Sequence, residues 1–242
     1  MIDFVEGAVI LIDKPLSWSS FDVVNKIRSL IKYQLGIKKI KIGHAGTLDP
    51  LAIGLLILCS GKFTKKIDEF QAYEKEYTGT MVLGATRPSS DMETEIDNTY
   101  DISNIKENEI LDLAKTFIGK IQQTPPLFSA KKIEGVRAYE LARKGSDIKM
   151  AVNEVFINEF EITKINLPEI SFRVVCSKGT YIRSLVKDFG EKLQNGAYLS
   201  VLCRTRIGEY KLNDAWSMEK AEEVIIKQRM SPLRKAVFRH CE

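Results

Sequence analysis

Hydrophobic and polar residues recur along this chain in patterns that predict both strands and helices. A short apolar run over 7–13 indicates a buried strand, and residues 170–176 alternate as a half-buried strand does. Ser20 is the predicted N-cap of a helix whose apolar residues recur every three or four positions until Gly36, a typical helix stop. The apolar segment 51–59 follows a glycine-rich loop and is expected to be buried.

The same periodicity predicts the remaining elements. Further strands are expected over 73–83, 154–165 and 197–212, and further helices over 110–118, 136–144, 181–193 and 218–229. The acidic stretch 86–105 is expected to form an exposed loop. Because strands outnumber helices and do not alternate strictly with them, the pattern predicts an α+β fold. Its β-sheet is expected to be mixed, mainly antiparallel, and flanked by helices.

Length and composition narrow the class of protein. The chain has 242 residues, of which 44% are hydrophobic and 28% charged, as in an ordinary globular protein of one large or two small domains. Its longest apolar run, Leu51–Cys59, is too short to span a membrane. The N-terminal segment carries Asp3 and Glu6 and does not read as a secretory signal, so we expect a cytoplasmic protein without membrane contact.

Few residues are available for metal or cofactor chemistry. The four cysteines are scattered without a C-x-x-C pair and there are two histidines, which disfavours a disulfide framework and a zinc site. Neither a P-loop, nor G-x-G-x-x-G, nor G-x-S-x-G occurs. Nucleotide-cofactor and serine-hydrolase functions therefore have little support, and we expect no metal site.

The distribution of charge is more informative than its sum. The net charge is only +4, but acidic residues cluster over 91–112 and basic residues over 26–41 and 120–149. Clustered cations on a nearly neutral chain suggest a polyanionic partner on one face. Ordinary solvated surface is the open alternative.

Two segments are candidates for chemistry. In the loop 43–50, Pro50 biases Asp49 towards an extended backbone, so the loop can hold a carboxylate at the edge of a buried segment. A simple Asp-Pro turn is the alternative. In the segment 177–183, Arg183 lies off the apolar face of a predicted helix, where a nearby anion or plain exposure to solvent would explain it.

Five motifs together resemble a known family. They are DKPLSWSS, GHAGTLDPLAIGLL, KEYTGTMVLG, TPPLFSAKK and CSKGTYIRSLVKDFGEKL, and they stand in the order of the tRNA pseudouridine-55 synthase family. The resemblance covers about residues 8–215 and implies the pseudouridine-synthase catalytic fold. It also implies a cofactor-free isomerase, expected to be monomeric, that acts on a uridine in the T-stem-loop of tRNA. His44, at the second position of the loop, is typical of this family among pseudouridine synthases.

The resemblance also divides the chain. It implies a catalytic domain over 1–215, with an RNA-clamping arm around 124–150, and a short basic helical tail over 216–242. Many bacterial relatives carry a C-terminal domain of the PUA type, for which this tail is too short. The stretch 32–42 is longer than in many relatives and adds positive charge without an assigned role.

Three catalytic residues are implied by the resemblance. Asp49 is the expected nucleophile, and whether it attacks C1′ or C6, or leads through a glycal, stays open. Arg183 is expected to pair with Asp49 and keep it ionised. Tyr77 is expected to stack on the uracil and to take part in proton transfer at C5.

The remaining residues are assigned to binding. Because the uridine must be flipped out of a folded loop, His44 is expected to fill the vacated space, while Tyr181 and Leu202 line the base pocket. Lys14 is grouped with these residues and is expected to support the catalytic loop. The predicted RNA-phosphate contacts are Lys131, Lys132, Arg137, Arg143, Lys144 and Arg204. A non-catalytic tRNA-binding or RNA-folding protein, and a synthase with another RNA target, stay open as alternatives.

Overall fold

The computed structural model describes residues 2–128, 132–133, 136–137 and 150–229. Its helices are α1 (Ser20–Leu35), α2 (Ile67–Ala72), α3 (Glu107–Lys115), α4 (Ile182–Lys192) and α5 (Met218–Arg229), with 3₁₀ helices at Gly61–Lys66 and Leu212–Asp214. Its strands are β1 (Val9–Lys14), β2 (Ile42–His44), β3 (Ala52–Ser60), β4 (Lys75–Leu83), β5 (Ala85–Thr86), β6 (Asn98–Thr99), β7 (Gly119–Gln123), β8 (Lys132–Ile133), β9 (Val136–Arg137), β10 (Asn153–Asn166), β11 (Glu169–Cys176), β12 (Ala197–Ile207) and β13 (Tyr210–Lys211). Across the described ranges, no helix is both long and apolar enough to cross a membrane.

Most predicted elements are confirmed within a few residues. The predicted helix over 136–144 falls largely outside the described residues, and residues 136–137 form β9. Helix α1 starts one residue earlier than predicted, because Ser19 rather than Ser20 is its N-cap. The Ser19 hydroxyl accepts from the Asp22 N–H at 3.1 Å, and the Asp22 carboxylate accepts from the Ser19 N–H at 2.8 Å.

The chain forms two compact units, and the catalytic domain over 1–215 with a short basic tail stays a prediction. One unit consists of residues 1–73 and 203–242, and the other of residues 74–202. The first unit includes α5, which the sequence assigned to the tail. Its residues Met218, Ala221 and Ile225 are buried in the same core cluster as the apolar face of α1, so α5 belongs to the core.

Strand β3 organises the first unit. It pairs antiparallel with β1, with Lys14 opposite Gly54, and with β2, with His44 opposite Leu58. Alternate β3 residues face different core clusters, with Leu56 beside α1 and α5 and Leu55 beside α2. The pairing therefore fixes the ends of β1 and β2 against one buried strand, and the loop 43–50 runs between β2 and β3.

The second unit is an antiparallel sheet with a strongly aromatic core. Its strands follow the order β4, β11, β10 and β7, each antiparallel to its neighbour. Helix α3 and helix α4 each contribute buried apolar residues. Four phenylalanines meet ring to ring between these elements: Phe117, Phe160, Phe172 and Phe189. The predicted α+β class with mainly antiparallel pairing is confirmed.

We predict that the aromatic cluster carries much of the stability of the second unit. Phe189 is 0% exposed, with ring centroids 5.8 Å from Phe117 and 5.9 Å from Phe160. Phe189→Ala should lower the free energy of unfolding by about 3–5 kcal/mol, measured by urea denaturation. Phe156→Ala is the control, because Phe156 is 48% exposed and its loss should cost about 0.5 kcal/mol or less. Equal losses in the two variants would contradict the prediction.

Candidate active site

The loop 43–50 is tied to α1 through the residue next to Asp49. Ser20, the predicted helix cap, is instead buried, and its hydroxyl accepts from the Leu48 N–H at 2.8 Å and donates to the Leu48 carbonyl at 3.1 Å. Leu48 itself is 3% exposed, whereas Asp49 is partly exposed. The backbone before Asp49 is therefore fixed while the carboxylate retains access to solvent.

Lys14 fixes the backbone on the other side of Asp49. Its side chain is fully buried, and its ammonium donates to the carbonyls of Trp18 at 2.6 Å, Pro15 at 3.0 Å and Pro50 at 3.4 Å. Burial lowers the pKa of Lys14 to about 8, although the negative charge of Asp49 opposes that shift. The buried ammonium binds the backbone beside Asp49, and the assignment of Lys14 to the substrate contacts stays a prediction.

Arg204 is also a support and not a surface cation. It is 1% exposed, and its guanidinium donates to the carbonyls of Leu55 at 2.8 Å, Gly46 at 3.1 Å and Thr47 at 3.5 Å. These donors join the loop to the start of β3. Its donors are directed at backbone carbonyls inside the first unit, which argues against the predicted contact with RNA phosphates.

His44 is the last residue of β2, and its side chain is half-buried. Burial, and next the positive charge of Arg204, lower the pKa of His44 below its usual value. The imidazole is therefore mainly neutral near pH 7. A neutral aromatic ring suits the predicted stacking role and avoids placing a second cation beside Arg204.

In the second unit, Arg183 is buried rather than exposed to solvent. It is 4% exposed, and its Nη1 lies 3.4 Å from a carboxylate oxygen of Asp91. The same guanidinium donates to the carbonyls of Ser89 at 3.3 Å and Phe128 at 2.8 Å. These contacts fix the plane of the guanidinium at the first turn of α4.

Asp91 is a site residue that the sequence analysis missed. Residues 86–105 were expected to form an exposed loop, yet Ser89, Ser90 and Asp91 are at most 6% exposed. The loop therefore folds inward at these three residues, where Asp91 reaches Arg183. In the sequence, nothing distinguishes Asp91 from the other acids of the run 91–112.

Tyr181 is held by a second missed residue, Gln123. This side chain is 1% exposed, accepts from the Tyr181 N–H at 2.8 Å and donates to the Tyr181 carbonyl at 3.1 Å. In the same unit Tyr77 is 8% exposed and lies opposite Val174 on the neighbouring strand, while Leu202 is 9% exposed on β12.

The predicted site residues are thus divided between the units. The first unit brings Lys14, His44, Asp49 and Arg204 to one loop, and the second contains Tyr77, Tyr181, Arg183 and Leu202. The pairing of Asp49 with Arg183 stays a prediction. The remaining predicted RNA contacts have side chains outside the described part of the chain: Lys131, Lys132, Arg137, Arg143 and Lys144.

Comparison with known families decides the relationship. The family model described as TruB family pseudouridylate synthase (N terminal domain) matches residues 32–182, more than half of the chain. The chain belongs to the TruB family. The matched range contains the loop with Asp49, the strand with Tyr77 and the segment that ends at the start of α4.

Relatives in this family align over nearly their whole length. The tRNA pseudouridine synthase B of Flavobacterium johnsoniae is 57% identical over 222 residues, which cover 91% of this chain and 97% of the relative. The protein of the same name from Phocaeicola vulgatus is 53% identical over 229 residues, which cover 95% of this chain and 97% of the relative.

Solved structures support the fold. A crystal structure of a Cbf5-Nop10-Gar1 complex matches with a TM-score of 0.69 and 26% identity, covering 96% of this chain. The chain spans 58% of that longer protein. An H/ACA ribonucleoprotein bound to a substrate RNA containing 2′-deoxyuridine matches with a TM-score of 0.67 and 25% identity, over 95% of this chain and 57% of the matched protein. The predicted pseudouridine-synthase fold is confirmed.

We predict that Arg204 contributes to stability and not to RNA affinity. Arg204→Met leaves the carbonyls of Gly46 and Leu55 without these donors and should lower the free energy of unfolding by about 3 kcal/mol, measured in urea. Arg206→Met is the control, because Arg206 is half-buried and donates to the Gly208 carbonyl two residues away. Weaker RNA binding by Arg204→Met with unchanged stability would restore the original RNA-contact prediction.

Proposed function

We propose that this chain converts uridine 55 in the T-loop of tRNA to pseudouridine. The observation that carries the proposal is the alignment with proteins named tRNA pseudouridine synthase B over 97% of their length. The reaction breaks the N1–C1′ bond of uridine, turns the uracil, and rejoins it to the ribose through C5. Atoms and electrons balance within the nucleotide, so the protein has to supply a nucleophile, proton transfer and orientation.

In this proposal Asp49 is the nucleophile. A carboxylate can form a covalent intermediate that holds one part of the substrate while the other part turns. Ser20 and Lys14 fix the backbone on either side of Asp49, and the positive charge of Lys14 favours its ionised form. The loop is therefore ordered before the substrate arrives, which lowers the entropic cost of reaching the reactive geometry.

Arg183 orients the Asp49 carboxylate in this mechanism. A guanidinium presents its donors in a rigid plane, and its contacts with Asp91 and with the Ser89 and Phe128 carbonyls fix that plane. The partial neutralisation of Arg183 by Asp91 also makes its burial less costly. Asp91 is accordingly a positioning residue that acts through Arg183.

The flipped uracil stacks on Tyr77, whose hydroxyl takes part in proton transfer at C5. Tyr181 and Leu202 line the pocket, and His44 fills the space that the base leaves in the RNA. The Gln123 clamp on the Tyr181 backbone supports this role, because it fixes a tyrosine that is only partly buried. The neutral state of His44 supports stacking rather than acid catalysis.

We place the enzyme in the cytoplasm and propose that it acts as a monomer. The described cysteines Cys59, Cys176 and Cys203 carry free thiols, which fits a reducing compartment.

We predict that Asp49→Asn abolishes the reaction without loss of fold. The amide has nearly the same shape but is a poor nucleophile, so unmodified T-stem-loop RNA should yield no pseudouridine by chemical mapping. Binding of the RNA and the urea midpoint should stay within error of the wild type. Asp112→Asn, on the exposed face of α3, is the matched control and should retain full activity. Product formation by Asp49→Asn at the wild-type rate would remove Asp49 from its role and favour the non-catalytic alternative.

We predict that Arg183→Lys keeps the fold and loses most of the activity. Lysine retains the charge opposite Asp91 but lacks the planar fork. The rate constant measured in single-turnover assays should therefore fall by about 10²-fold. The control is Arg173→Lys in the same unit, because Arg173 pairs with Glu76 and Glu159 at a more exposed position. Unchanged turnover in Arg183→Lys would contradict the orienting role of the guanidinium.

A further inference from the structure

The segment between α1 and β2 is anchored to the first unit. Ile37 and Ile40 are partly buried and pack against the core cluster formed by α1, α5 and the strands. Between and beside them, Lys38, Lys39 and Lys41 are exposed. The segment therefore presents three ammonium groups to solvent from a fixed backbone.

A second basic segment lies directly beside the first. Residues Ile42 and Ser60 are partners in the β2–β3 register, and the Gly61 N–H donates to the Lys41 carbonyl at 2.9 Å. The 3₁₀ helix Gly61–Lys66 starts at this contact and carries the exposed residues Lys65 and Lys66. We name the five exposed residues Lys38, Lys39, Lys41, Lys65 and Lys66 the lysine surface.

Within the described ranges, the lysine surface makes no close ion pair, although the exposed residues Asp68 and Glu69 follow Lys66 in α2. Among the described residues, no carboxylate lies within 4.0 Å of any of its five ammonium groups. Neighbouring Lys62 differs, because it pairs with Glu6 at 2.6 Å. Several like charges fixed near one another repel, and a bound polyanion relieves that repulsion. Phosphate groups of RNA are the natural ligands of such a surface in a tRNA-modifying enzyme.

The position of the surface matches its suggested ligand. Lys41 precedes β2, which ends at His44, so the two residues are separated by about 10 Å at about 3.3 Å per strand residue. An RNA backbone that continues from a target loop at His44 therefore has to extend only about 10 Å to reach Lys41.

We propose that the lysine surface binds the phosphate backbone of the tRNA stem that flanks the target loop. The proposal rests on the proposed function and assigns a role to the basic stretch 32–42, for which the sequence offered none. It adds a contact to those predicted on the arm around 124–150. Phosphate contacts of this kind raise affinity without changing the chemical step, and they weaken as salt rises.

The test compares two variants of equal charge. The surface variant carries Lys38→Gln, Lys39→Gln and Lys41→Gln. The control variant carries Lys115→Gln, Lys164→Gln and Lys220→Gln, which are exposed lysines outside the surface. Binding of unmodified tRNA, and of the isolated T-stem-loop, is measured from 50 to about 300 mM salt, a range over which phosphate contacts weaken strongly.

For the surface variant, the slope of log affinity against log salt should become shallower by about 2, since each lost phosphate contact removes about 0.7–0.9. Its Kd near 100 mM salt should rise about tenfold with both RNAs, while kcat at saturating RNA stays at the wild-type value. The control variant should match the wild type. Adding Lys65→Gln and Lys66→Gln to the surface variant should deepen the effect.

Equal slopes in the surface variant, the control variant and the wild type would overturn the proposal. A change seen only with full-length tRNA would also contradict it, because the contact would then lie outside the flanking stem. Failure of the proposed function is separable, since it would appear as absent pseudouridine in the wild type, whereas the slopes are measured on binding alone. Unchanged urea midpoints exclude misfolding as the cause.

Discussion

Two buried cations hold the loop that carries Asp49, and the first unit is arranged around them. Burying a charge is costly unless its donors are satisfied, and the donors of Lys14 and Arg204 reach backbone carbonyls. Gly46, in the middle of the loop, and Pro50, at its end, are among the acceptors. The conformational freedom of the loop is thus reduced by folding, and Asp49 itself stays partly exposed.

The second unit uses the same device with different residues. A buried polar side chain from one segment fixes the backbone or side chain of a residue assigned to the reaction. Gln123 binds both polar backbone groups of Tyr181, and Asp91 binds the guanidinium of Arg183. Loops carry chemistry well only when a rigid scaffold positions them. Here that scaffold is a set of buried hydrogen bonds between segments distant along the chain.

Basic residues consequently serve two purposes in this protein. Lys14 and Arg204 are buried and set geometry, whereas Lys38 and Lys39 are exposed and remain available to a polyanion. A count of charge along the sequence treats these residues alike. Which of the two roles a basic residue has depends on whether backbone carbonyls or water surround its cation in the folded chain.

Most secondary-structure elements, the α+β class and the family could be predicted from local patterns in the chain. Strand alternation and helical periodicity arise from residues within a few positions of one another, so β11 and α1 could be read directly. The motif around Asp49 is contiguous for the same reason. Gly43 within this motif and Ser20 at the start of α1 could be picked out by residue type. The hydrogen-bond partner of Ser20 could not be predicted from the sequence.

The identity of the buried polar residues, and of the groups they bind, emerges only from the folded chain. Arg204 reaches the carbonyl of Gly46 across 158 residues, and Arg183 reaches that of Ser89 across 94. No local pattern distinguishes such an arginine from a solvated one, or Asp91 from the acids around it. Burial of a charge depends on acceptors supplied by remote segments, and these meet only once the sheets have formed.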